Sequence, residues 1–135
     1  MPSLRSELAP LSDVVTNDIR VEVLSRYSPE NSLQNGWVFQ DTVRITNQGS
    51  EKVQLLSRHW IITDALEHIH EVQGPGVVGE QPVLEPGQSF KYSSWCPLKT
   101  PTGIMRGTYR MSGTDGRQFD IEIAPFALKA PYTVH

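Results

Sequence analysis

From Ile19 onward apolar and polar residues alternate with a period of two, and that pattern excludes most folds. A strand turns successive side chains to opposite faces, so such alternation marks sheets with one wet face and one buried face. Ile19, Val21 and Val23 alternate with Arg20 and Glu22. Trp37, Phe39, Val43 and Ile45 share a face opposite Gln40, Thr42 and Arg44. Phe90 and Tyr92 alternate with Lys91 and Ser93, and Met105, Gly107, Tyr109 and Met111 with Arg106, Thr108 and Arg110. Phe119, Ile121 and Ile123 alternate with Asp120 and Glu122. Val53 to Thr63 (VQLLSRHWIIT) is apolar on both faces and reads as a central strand, and HIHEV at 68–72 reads as a short strand after it. Asp41 breaks the apolar face of its run, which predicts a bulge or a strand edge there.

Turn signals separate these runs: Asn47-Gln48-Gly49-Ser50, Pro86-Gly87, Pro101-Thr102-Gly103 and Asp115-Gly116. The Asp-Gly between the last two long runs predicts a hairpin, with a loop that can exceed two residues. No window sustains a helical period over three turns, and ten prolines and ten glycines interrupt the chain too often for one. The expectation is an all-β fold, an immunoglobulin or fibronectin type III-like β-sandwich of about seven strands in two antiparallel sheets. Tyr109 stands two residues before the core position Met111, the spacing of a tyrosine corner, and Trp60 suits the core between the sheets. Residues 1–18, with Pro2 and Pro10 and no clear strand period, read as a flexible N-terminal arm or an edge segment that orders on contact. Residues 19–135 read as the sandwich domain.

At 135 residues the chain is long enough for one domain with a real core. A net charge of −3 argues against nucleic acid as a partner and against an anionic membrane surface. No apolar run approaches a bilayer span, and MPSLRSELAPLSD lacks the apolar stretch of a signal peptide. With one cysteine, Cys96, the reading is a cytoplasmic protein without an intrachain disulfide.

Four groups of residues are candidates for chemistry. Gly74-Pro75-Gly76-Val77-Val78-Gly79 matches G-x-G-x-x-G, a phosphate-binding pattern when it follows a strand and opens a helix. Here Pro82 and Pro86 forbid the helix, and Glu71 and Glu80 would repel an anion unless a divalent cation bridged them. The candidate pyrophosphate ligands are thus the backbones of Gly74, Gly76 and Gly79, against the plainer reading of a loop that packs closely. His68 and His70, at i and i+2, would share a face of a strand and are weak metal candidates, since no third imidazole or thiol is near. His59 reads as a hydrogen-bonded core histidine and Cys96 as a buried structural thiol. No paired carboxylates, activated nucleophile or Ser-His-Asp order stands out, so the residues point to a binding module, not an enzyme, with no cofactor.

Taken together the segments resemble the ApaG family of small bacterial proteins. The stretches that carry the resemblance are SRHWIIT at 57–63, EVQGPGVVGEQP at 71–82, LEPGQ at 84–88, TPTGIMRGTY at 100–109 and the close at 124–135, in an order that extends from about Ile19 to the C-terminus. Asp41 stands where an aromatic residue is expected of that family. The resemblance implies a fibronectin type III-like sandwich and a link to cobalt and magnesium efflux or resistance. It also implies an interaction role, since related eukaryotic domains look like protein-interaction modules, so an unidentified protein partner is expected. The family's glycine motif, considered a pyrophosphate site, falls on Gly74, Gly76 and Gly79, which makes a pyrophosphate-containing nucleotide or metal-nucleotide the alternative ligand.

Overall fold

The computed structural model describes residues 10–32 and 36–131. Nine strands run in chain order: β1 (Ser12–Thr16), β2 (Ile19–Tyr27), β3 (Trp37–Asn47), β4 (Val53–Asp64), β5 (Ile69–Pro75), β6 (Val83–Leu84), β7 (Ser89–Leu98), β8 (Thr102–Ser112) and β9 (Gln118–Lys129). One sheet has the order β1-β2-β3-β7, the other β5-β4-β8-β9 with β6 also on β4, and every pairing is antiparallel. The result is a fibronectin type III-like β-sandwich, with nine strands where about seven were expected. Among the described residues no helix is long and apolar enough to cross a membrane.

Alternation places the core as the sequence pattern requires. Val21, Val23, Phe39, Val43 and Ile45 of the first sheet meet Leu55, Trp60, Tyr109, Met111, Ile121 and Ile123 of the second, all buried. Trp60 lies edge-on to both Tyr109 and Phe126, with ring centroids 6.3 Å apart in each pair. The expected tyrosine corner is not made. Tyr109 sits mid-strand in β8, opposite Arg58 and Ile121, and its hydroxyl hydrogen-bonds the Tyr92 hydroxyl of the facing sheet.

Two irregularities set which residues face inward. In β4, Leu55 pairs Met111 and Ser57 pairs Arg110, so Leu56 is an extra residue. Beyond it the parity flips, and Arg58, Trp60 and Ile62 turn to the inside while His59 and Ile61 turn out. In β9 the residues Ala124 and Pro125 stand opposite Arg106 alone, so Ile123 and Phe126 both reach the core. Asp41 is a correction of a different kind. β3 pairs both neighbours in unbroken register through this position, so there is no bulge and no edge, and the carboxylate points into the sandwich at 1% exposure.

The expected arm at residues 1–18 contains a strand in its second half: β1 pairs β2 from Ser12 to Thr16, while residues 1–9 lie outside those described. The turn between β1 and β2 is Asn17-Asp18, both at positive φ, which suits a two-residue hairpin. β1 closes one side of the sandwich against β9. Ser12 Oγ donates to the Ala124 carbonyl (2.6 Å), and Thr16 Oγ1 accepts the Glu122 amide (3.2 Å). The opposite side is bounded by the outer strands β5 and β7, and cavities lie between them.

Gly107 shows how closely the second sheet is packed. A Cβ there would stand 2.2 Å from the His59 carbonyl oxygen, which belongs to backbone and cannot rotate away. Gly107→Ala is expected to cost about 3 kcal/mol, the upper end of overpacking penalties, read from urea midpoints. Gly116→Ala, where a Cβ meets nothing but φ is +80°, should cost only about 1 kcal/mol. Equal losses at the two positions would show that the close approach at Gly107 is not made.

Candidate functional site

Between the sheets, on the side left open by β5 and β7, lies a cleft of about 270 Å³. Asp41 from β3, Arg58, Trp60 and Ile62 from β4, and Tyr92, Ser94, Trp95 and Cys96 from β7 line it, with Val77 and Val78 from the loop after β5. It exists because the extra residue in β4 turns Arg58 and Trp60 inward, and because Asp41 occupies an inward position of β3.

The cleft is electrostatically unusual. Asp41 Oδ1 and the cross-strand Ser25 Oγ are both buried with no hydrogen-bond partner. Burial pushes the Asp41 carboxyl up to about 6; the nearby Ser25 hydroxyl favours the charged form, but its geometry falls short of a hydrogen bond. Burial likewise raises the Tyr92 hydroxyl and the Cys96 thiol, each to about 12, and raises Tyr109 well above its ordinary value. Cys96 is therefore a neutral thiol, as the sequence reading expected, and is no nucleophile. Arg58 lies flat against Gly74, and its Nη1 donates to the carbonyls of Pro75 and Gly76, 3.0 Å each.

The G-x-G-x-x-G loop forms a wall of this cleft. Gly74 is still in β5, opposite Arg58, where a Cβ would stand 3.3 Å from the guanidinium nitrogens, a tight contact. Gly76 has φ +63°, and a Cβ there would stand 2.3 Å from the Glu80 carbonyl oxygen. Val77 and Glu80 exchange backbone hydrogen bonds of 2.8 and 2.9 Å around Val78-Gly79, both at positive φ, so the loop is a tight hairpin and opens no helix. Val78 is β-branched and 56% exposed in that left-handed conformation, a strained position. The amides of Gly76, Val77 and Glu80 are already given to the carbonyls of Leu56, Glu80 and Val77.

On the outer face of the second sheet, beside Gly74, a hollow of about 320 Å³ is lined by Ser57, Arg58, His59, Thr108, Arg110 and Asp120 among others. His59 is not a core residue. The shifted parity of β4 puts it on this outer face, with Nε2 2.6 Å from Glu71 Oε1. Arg110 is held by Asp120 (3.0 Å).

His68 and His70 are placed less simply than their spacing suggests. β5 begins at Ile69, so His68 precedes the strand, after Glu67 at positive φ. Its Nδ1 lies 3.3 Å from Asp64 Oδ2, and its amide donates to Asp64 Oδ1. With Asp64 and Ile69 both histidines line a further groove, of about 480 Å³, which runs to Pro97, Leu98 and Lys99 at the end of β7. Among the described residues no group of three His, Cys, Asp or Glu side chains could hold a metal ion.

Against this geometry the comparisons are specific. The model of the ApaG domain family matches residues 27–113, which include the cleft and the glycine loop. The chain belongs to the ApaG domain family. Protein ApaG of Bordetella pertussis is 54% identical over 120 residues, 87% of this chain and 92% of that protein. Protein ApaG of Anaeromyxobacter dehalogenans is 54% identical over 121 residues, 90% and 97% of the two chains. The crystal structure of an ApaA protein from Bordetella pertussis superposes with a TM-score of 0.81 at 52% identity, covering 89% of this chain and 99% of that one. A second solved structure, 42% identical, has a TM-score of 0.82 over 90% and 94% of the chains. The ApaG fold is thus shared over nearly the whole length, and the name these relatives carry specifies no reaction.

Asp41 gives a pH-dependent test. Its folded pKa of about 6 lies above the ordinary 3.8, so the folded state holds the proton more tightly than the unfolded chain. The contribution to stability is complete below about pH 4 and is lost as pH rises through about 6, roughly 3 kcal/mol in all. Asp41→Asn removes that dependence. Its stability relative to the wild type, from urea midpoints, should rise by about 3 kcal/mol between pH 4 and pH 7.5. A difference independent of pH would mean that Asp41 titrates as an ordinary carboxylate.

Proposed function

We propose that this ApaG domain is a non-enzymatic binding module that docks a protein partner along β5 and β7, and that this interaction serves cobalt and magnesium efflux or resistance in the cytoplasm. The observation that carries the reading is the open side of the sandwich. β5 and β7 are outer strands; Ile69 (65%) and Trp95 (54%) are exposed on them, and Leu66 (67%) and Val78 (56%) in the loops on either side of β5. Unpaired strand edges flanked by apolar side chains suit an extended apolar segment of a partner, which gains backbone hydrogen bonds and buries those side chains. The raised thiol of Cys96 and the absence of an activated nucleophile in the cleft favour binding over catalysis. Support for the cation link comes from the family resemblance.

The test uses the full chain as bait in cells lacking the native copy, beside Ile69→Asp and Trp95→Ala. The wild type is expected to capture a stoichiometric partner and restore cobalt tolerance, and both variants to lose both, with unchanged melting temperatures. A partner held equally by all three proteins would place the interaction elsewhere.

The second reading is a pyrophosphate-containing nucleotide or metal-nucleotide at Gly74, Gly76 and Gly79. It is favoured by the hollow beside Gly74, where His59, Thr108 and Arg110 could donate to phosphate oxygens. The pairing of Asp120 with Arg110 offsets part of the nearby negative charge. Calorimetry with dinucleoside polyphosphates, with and without Mg²⁺ or Co²⁺, is expected to give heat that Arg110→Ala abolishes. No heat at millimolar ligand in any combination rules the site out.

A further inference from the structure

The inter-sheet cleft contains a feature that neither a docked partner nor a phosphate explains. Its inner end is Asp41, 1% exposed, with Oδ1 bonded to nothing. A buried carboxylate oxygen without a donor is costly, and native structures rarely leave one facing empty space. Of the neighbouring polar groups, Ser25 Oγ is buried beside Asp41 but makes no hydrogen bond with it, and the others are committed elsewhere. The Tyr92 and Tyr109 hydroxyls bond each other, and Arg58, which also lines the cleft, gives Nη1 to the Pro75 and Gly76 carbonyls. Among the described residues no cation pairs with Asp41. Two inward aromatic residues, Trp60 and Tyr92, line the cleft with Asp41, and Trp95, an exposed outward position of β7, borders its entrance.

We propose that this cleft binds a small organic ammonium compound, its N–H donors on the Asp41 carboxylate and its apolar body against Trp60 and Tyr92, with Trp95 at the rim. An ammonium group supplies the missing donor and the opposite charge together, and aromatic faces attract the same cation. A volume of about 270 Å³ lies at the small end of ligand pockets and suits a monoamine with one ring or a short alkyl chain. An anion is disfavoured by the carboxylate itself, so this ligand class is distinct from the nucleotide considered for the outer face. The inference does not rest on partner docking: a captured partner without amine binding would sink this proposal alone.

The titratable and charged groups that face Asp41 across the cleft are Tyr92 and Cys96 on β7, Tyr109 on β8 and Arg58 on β4. Burial raises the first three and keeps them neutral, so of this set Asp41 alone changes charge between pH 5 and 7.5. With its carboxyl near 6, the affinity for an amine that stays protonated should rise about tenfold across that interval.

The test is a nuclear magnetic resonance titration of the isotopically labelled full chain with benzylamine and with benzyl alcohol, which has the same shape but no charge. Benzylamine is expected to shift the indole signals of Trp60 and Trp95 and the amides of Tyr92 and Cys96. It should bind at least tenfold more tightly than the alcohol at pH 7.5 and lose most of that advantage at pH 5. Asp41→Asn, shown to be folded by its thermal transition, should bind the two compounds equally. Equal binding of amine and alcohol by the wild type, or no shift of these signals at millimolar amine, overturns the proposal without reference to the variant.

Discussion

Leu56 is inserted into β4 opposite no partner of its own, and the inside of the second sheet is arranged around that one extra residue. Without it Ser57, His59 and Ile61 would face the core, and Arg58, Trp60 and Ile62 would face water. The bulge instead gives the core its largest aromatic, Trp60, packed edge-on against Tyr109 and Phe126. It also brings an arginine to the inside of a sandwich, which is tolerable only where the guanidinium finds acceptors. Arg58 finds them in the carbonyls of Pro75 and Gly76, at the point where β5 ends. Gly107 completes the arrangement, since any side chain there would displace the His59 backbone on which the shifted parity depends.

The sandwich is closed on one side only, and the position of the candidate sites follows. β1 reaches across to β9 through Ser12 and Thr16 and ties the two sheets together on that side. On the other side, among the described residues, β5 and β7 end their sheets without an equivalent strap. The cleft below them is deepest at Asp41, on a central strand of the first sheet, and shallowest at Trp95 and Val78, on the rim. A protein partner at the rim and a small molecule inside would use different surfaces of one opening.

Much of this was legible in the alternation itself. The inward residues of β2, β3, β8 and β9 follow from period two, because the extra residue opposite Arg106 falls in β9 beyond Ile123, past the run that shows the alternation. β4 was harder to read. Apolar residues on both faces identify a central strand, but a bulge carries no residue signature in LLSRHW, so both His59 and Trp60 read as core residues and only Trp60 is one. Tyr109 has the spacing of a tyrosine corner, yet the fold gives its hydroxyl a nearer partner in Tyr92, on a strand that contacts it only through sandwich closure. β1 escaped because a five-residue edge strand with two polar ends shows too short an alternation to stand out. Asp41 was the informative misfit. A carboxylate interrupting an apolar face was explained by a backbone irregularity, whereas β3 is regular and the charge is buried. The outlier marked a cavity, not a defect in the strand.

The glycine motif shows why spacing alone does not establish a ligand. Each glycine between 74 and 79 answers to a different constraint: Gly74 leaves room for the Arg58 guanidinium, Gly76 for the Glu80 carbonyl, and Gly79 takes φ +82° in a hairpin with open space around it. These requirements come from packing the loop onto β4, and they leave three of its amides occupied by protein carbonyls. A dinucleotide loop uses its glycines for the reverse purpose, to leave amides free at a helix start. The same letters thus serve here to hold Arg58 and the Val77–Val78 wall in place. What links the loop to binding is its position at the mouth of the inter-sheet cleft, a relation that exists only once the bulge at Leu56 has turned Arg58 inward to meet it.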